Sequence, residues 1–125
     1  LLYKGMIKML LLICVLNKTE CLEDILTEFA ANGIHGATVL ESRGMAHILA
    51  ESSEFRIMDS IFKLLNLDNS ESKTFFMVIK NEMLPEVSDI INDVTGGLDR
   101  PDTGVIFTVP VNYTEGFGKN NVVGD

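Results

Sequence analysis

Ile7-Lys8-Met9-Leu10-Leu11-Leu12-Ile13-Cys14-Val15-Leu16 is apolar at every position except Lys8, and its reading decides the fold. Preceded by Lys4, the run has the outline of a secretory leader. It is, however, about half the ~20 residues a bilayer-spanning helix needs, and no small-x-small cleavage site follows it. A strand buried on both faces, in the middle of a sheet, accounts for it better, and no direct membrane insertion is expected. Met6 is a candidate start, and Leu1 to Gly5 stay outside the functional reading.

Downstream of this first strand, Thr19 is placed to cap a helix in which Leu22, Ile25, Leu26, Phe29 and Ala30 fall at helical spacing. Glu20, Glu23 and Asp24 sit in its first turns, where the helix dipole favours acids, and Asn32-Gly33 stops it. A second strand is expected over 34–41, entered through Gly33 and Gly36 and ended by Arg43-Gly44. Thr74 to Ile79 gives a third strand. A second helix follows with Leu84, Val87, Ile90, Ile91 and Val94 on one face and Pro85 in its first turn. Gly96-Gly97 breaks it, a polar loop runs from Leu98 to Thr103, and Val105 to Val109 makes a fourth strand.

The order is β-α-β-β-α-β. This is the ferredoxin-like α+β arrangement, with two helices on one face of a four-stranded antiparallel sheet and the other face left bare. A bare apolar face is most simply covered by copies of itself, so self-assembly is expected.

At 125 residues and 46% hydrophobic content the chain fills one core, and residues 1–125 read as a single domain with an irregular tail over 112–125. A net charge of −8 repels nucleic acid and anionic membranes, so no nucleic-acid role is expected. Two cysteines, Cys14 and Cys21, form neither a disulfide framework nor a zinc set, which fits a reducing, cytoplasmic location.

Residues 44–72 are far longer than a hairpin needs, and such loops are usually functional or disordered. Polar borders at 51–54 and 68–72 read as mobile hinges around an apolar helical segment from Phe55 to Leu65. Ile57, Met58, Ile61, Phe62 and Leu65 form a stripe suited to a partner's groove or, equally, to packing on their own subunit.

Gly33-Ile34-His35-Gly36-Ala37-Thr38-Val39 and Glu41-Ser42-Arg43-Gly44 resemble the G-I-x-G-x-T-V-x-E-x-x-G wording of P-II nitrogen-regulatory signalling proteins. Thr103-Gly104-Val105-Ile106-Phe107-Thr108-Val109-Pro110-Val111 is similar to that family's G-K-I-F-V-x-P-V strand. The resemblance implies a homotrimer that holds nucleotides between subunits and docks its long loop on a membrane transporter or metabolic enzyme. Carried over, Gly36, Thr38, Gly44, Val78, Thr103 and Gly104 would line the nucleotide cleft. This chain has Val105 where the family places a lysine, Ala46 for a loop glycine, and Glu115, Gly116 and Gly118 where the family has arginines. The loop tyrosine that some members modify is also absent, since the tyrosines are Tyr3 and Tyr113. Polyphosphates need such cations, so either no nucleotide or, in preference to ATP, AMP or ADP is expected, with Lys73 and Arg100 as partial substitutes. The alternative within this fold is a structural or metal-binding trimer like the divalent-cation tolerance proteins.

Catalysis has no visible machinery. Asp102-Thr103-Gly104 spells the aspartic-protease tripeptide, but between a helix and a strand of an α+β chain it reads as a crossover turn. His35 and His47, with Cys14 or Cys21, match no standard metal-ligand spacing, and no metal ligands are assigned. The sequence contains no G-x-S-x-G, P-loop or G-x-G-x-x-G.

Overall fold

The computed structural model describes residues 9–51 and 71–116. In order these form β1 (Met9–Leu16), a 3-10 turn (Thr19–Cys21), α1 (Leu22–Ala31), β2 (Thr38–Arg43), α2 (Met45–Glu51), β3 (Glu71–Lys80), a 3-10 turn (Asn81–Met83), α3 (Leu84–Thr95) and β4 (Gly104–Val111). All three strand pairings are antiparallel, and the sheet order is β2-β3-β1-β4. This is the ferredoxin-like α+β fold the sequence predicts, with α1 and α3 packed together on one side.

β1 differs from the expectation of a strand buried on both faces. Leu10, Leu12, Cys14 and Leu16 are buried, whereas Met9, Leu11, Ile13 and Val15 alternate with them and are only half-buried. The helices cover a single face, so the continuous apolar run serves the core with every second residue. Ile25 and Phe29 of α1 and Val87 and Ile91 of α3 meet Phe75, Met77 and Ile79 of β3 in that core. The rings of Phe29 and Phe75 pack edge to face with centroids 5.9 Å apart. Cys14 lies in the same layer, and burial pushes its thiol up to about 12 from the usual 9.0.

Helix boundaries show which local signals won. Thr19 caps nothing with its side chain; it enters the helix itself as the first residue of the 3-10 turn. At the other end of α1 the Ile34 N–H returns to the Phe29 carbonyl at 2.8 Å, with Gly33 at φ +74. Ile34 thereby becomes a core residue, 1% exposed, and β2 begins only at Thr38. α3 ends as its glycine predicts: Gly96 at φ +88 donates its N–H to the Asn92 carbonyl.

Two further differences fall on the 44–72 segment. Residues 45–51, read as loop, are helical, and Glu71-Ser72, read as a mobile border, open β3 opposite Arg43 and Ser42. Ser72 is 4% exposed. The Ser42 hydroxyl lies 2.7 Å from that of Ser72 and 2.9 Å from that of Thr74, so hydroxyl pairing supplies here the cohesion that apolar side chains supply elsewhere. Ile57, Met58, Ile61, Phe62 and Leu65 lie outside the described residues.

The second face of the sheet stays bare among the described residues. Val105, Phe107 and Val109 of β4 alternate outward and are 51%, 47% and 45% exposed. They stand in register with Val15, Ile13 and Leu11 of β1 on the same face. Leu40 of β2 is also exposed there.

Candidate functional site

Strand register decides where the six residues assigned to a nucleotide cleft lie. Thr38 opens β2 opposite Phe76, with Gly36 just before it at φ +94. Val78, half-buried and opposite Leu11, shares Thr38's face on the neighbouring strand. Thr38 thus lies on the edge strand β2, and Val78 on the inner strand β3 beside it.

Gly44 follows the far end of β2, roughly 20 Å along the strand from Thr38 at ~3.3 Å per residue. Its carbonyl accepts the Ile48 N–H at 3.1 Å. Thr103 and Gly104 stand at the opposite edge. The buried Thr103 carbonyl accepts the N–H groups of Asn17 and Lys18 at 3.0 and 3.1 Å, and the Thr103 hydroxyl donates to the Pro101 carbonyl at 3.3 Å. With β3 and β1 between them, the two edges are separated by about 14 Å at ~4.8 Å per strand. One chain therefore does not assemble these six residues around one ligand.

The crossover leading to Gly104 is held firmly. Lys18 Nζ donates to the Thr95 carbonyl at 3.0 Å, where a cation also suits the C-terminal end of α3. Asn92 Oδ1 accepts the Leu98 N–H at 2.8 Å. A Cβ on Gly104, at φ +152, would lie 2.7 Å from the Val15 carbonyl oxygen, so only glycine lets β4 start this close to β1.

A recess lies elsewhere, on the helix side of the β2–β3 end. It measures about 340 Å³ and is lined by Thr19, Glu41, Ser42, Arg43, Glu71, Ser72 and Lys73. Two matching tripeptides build it, Glu41-Ser42-Arg43 and Glu71-Ser72-Lys73. Antiparallel register sets Glu41 opposite Lys73 and Arg43 opposite Glu71, giving a checkerboard of charge. The sequence reading named Lys73 as a substitute cation but missed the recess; the repeated Glu-Ser-cation pattern was the available signal.

Charge is unevenly spread over the fold. The eight carboxylates within residues 19–31 and 81–95, which contain no Lys or Arg, equal the whole net charge of −8. The helical side thus repels polyanions, while the bare sheet face is apolar. Among the described residues no three His, Cys, Asp or Glu side chains gather as a metal site, and no helix is long and apolar enough to cross a membrane.

The chain matches no protein-family model and no curated protein sequence. Solved structures resemble it. PII of Arabidopsis thaliana bound to citrate aligns with a TM-score of 0.57 at 16% identity, over 83% of this chain and 78% of that one. A functionally unknown protein from Pediococcus pentosaceus gives 0.57 at 18% identity, over 89% of this chain and 99% of that one. The GlnK–ATP complex of B. subtilis gives 0.55 at 13% identity, over 84% and 83%. The fold is therefore PII-like, in agreement with the resemblance seen in the sequence.

Proposed function

We propose that this chain is a PII-like regulatory protein that works as a homotrimer, holds an adenine nucleotide between neighbouring copies, and acts on a partner protein such as a membrane transporter or metabolic enzyme. The bare apolar sheet face carries the reading. Val105, Phe107 and Val109, each about half exposed, are the kind of surface a monomer rarely leaves in water. The separation of Gly36, Thr38 and Val78 from Thr103 and Gly104 supports it further. Residues on opposite edges of one sheet meet at a single ligand when edges of different copies are brought together.

AMP or ADP suits such a cleft better than ATP. Val105 follows Gly104 with an apolar side chain on the bare face, where a polyphosphate would call for a cation. Calorimetric titration of the whole protein with AMP, ADP and magnesium-ATP tests this. Saturable binding of AMP or ADP, tighter than that of ATP, is the expected result. Tight magnesium-dependent ATP binding would overturn the preference, and failure of all three would overturn the nucleotide role.

A further inference from the structure

The recess at the β2–β3 end has a charge pattern that restricts what it can take. Arg43 Nη1 turns away from its cross-strand neighbour Glu71 and pairs with Glu51 of α2 at 2.9 Å. Among the described residues, the Glu71 carboxylate is left without a hydrogen-bonded or ionic partner. Lys73 is held only loosely, with Nζ 3.9 Å from Glu41. A carboxylate and an ammonium with remaining capacity therefore stand two residues apart on one strand and one face, about 7 Å along β3.

The rest of the recess keeps this pair in place. Ser42, Ser72 and Thr74 hydrogen-bond on the opposite face of the same strand pair and fix the register of the two tripeptides. Thr19, from the turn that begins the first helical segment, supplies a wall. The lining holds two cations and two carboxylates, so its formal charge is zero. A phosphate or a bare amine would leave one sign uncompensated, whereas a molecule carrying both charges keeps the balance. The carboxylate and ammonium of an α-amino acid are separated by one carbon, so the molecule spans the gap between Lys73 and Glu71 with an ionic hydrogen bond at each end. A recess of about 340 Å³ is at the small end of ligand sites, which suits a ligand of this size.

We propose that this recess binds a free α-amino acid, with its carboxylate at Lys73 and its ammonium at Glu71. The site lies within one chain and on the side of the sheet away from the bare face. It does not require the nucleotide reading or the trimer to hold.

The test is amide-resonance titration of the whole chain with each standard L-α-amino acid, followed by the amine and the carboxylic acid that correspond to the best binder. At least one amino acid should give saturable shifts centred on residues 41–43, 71–73 and Thr19. Each half-molecule should bind roughly five-fold or more weakly, since each loses one ionic contact at a partly exposed site. Glu71→Gln and Lys73→Met should each weaken binding by a similar factor, while Glu28→Gln on the helical layer should not. Both altered residues are solvent-accessible, and an unchanged melting temperature confirms that they fold. No saturable shift at up to about 20 mM ligand, far above the level at which a millimolar site saturates, overturns the proposal. So do shifts centred elsewhere, or equal binding by the half-molecules.

Discussion

Replacing Gly104 by alanine should destabilise this protein far more than loss of one hydrogen atom suggests. The new Cβ would stand 2.7 Å from the Val15 carbonyl oxygen and 3.2 Å from the Leu16 Cα. Both atoms belong to the backbone of β1, which is flanked by β3 and β4 and has no room to retreat. The start of β4 must move instead, lengthening the bonds from the Asn17 and Lys18 N–H groups to the Thr103 carbonyl, now 3.0 and 3.1 Å. Backbone strain at positive φ costs about 1–3 kcal/mol, and two weakened hydrogen bonds add roughly 0.5–1.5 kcal/mol each. The sum is roughly 2–6 kcal/mol, or about 8–24 °C in Tm at ~4 °C per kcal/mol for a domain of this size. Gly96→Ala is the matched control, because Gly96 shares the positive φ but has nothing within 4 Å of its added Cβ. Calorimetry of both variants, with amide exchange at Asn17 and Lys18, separates strain from collision. Melting of Gly104→Ala within about 2 °C of Gly96→Ala, with both amides as protected as in the parent, would refute the collision.

Two other perturbations probe the sheet. Phe107→Asp should turn the assembled protein into monomers: Phe107 is 47% exposed, so burial against a copy removes roughly 90 Å² more from water, about 2 kcal/mol per chain. An unchanged mass by light scattering would show that this face is not the contact. For Cys14, the folded thiol titrates near 12 and the unfolded one near 9.0, so the folded chain holds the extra proton in between. The associated stability is present below about pH 9 and is lost as pH rises toward 12, by at most roughly 4 kcal/mol. Urea melts across this range should show a steeper alkaline loss for the parent than for Cys14→Ala, and parallel curves would refute the assignment.

Much of the architecture was legible because it follows from periodicity. Leu22, Ile25, Leu26 and Phe29 repeat at helical spacing, and Gly96 stops α3 because its left-handed conformation suits glycine. Less legible were features set by tertiary context. An apolar run cannot reveal that one face of β1 lacks a covering layer, since Leu11 and Ile13 are as hydrophobic as Leu10 and Leu12. Ile34 looks like a strand residue until the turn after α1 directs it into the core. Glu71-Ser72 looks like loop because its partner in the ladder, Ser42-Arg43, lies some thirty residues earlier in the chain, and only the pairing of the two polar tripeptides makes them strand. The resemblance correctly indicated a PII-like fold. It placed six residues in a cleft between subunits, and a single chain sets them in three separate places.

In the proposed assembly, further copies of this chain cover the bare sheet face. Light scattering coupled to size exclusion, on the unmodified protein at micromolar concentration, measures this directly. Three times the 13.8 kDa chain mass is the predicted result. A stable monomer with Phe107 and Val109 left in water, or a dimer, would contradict it.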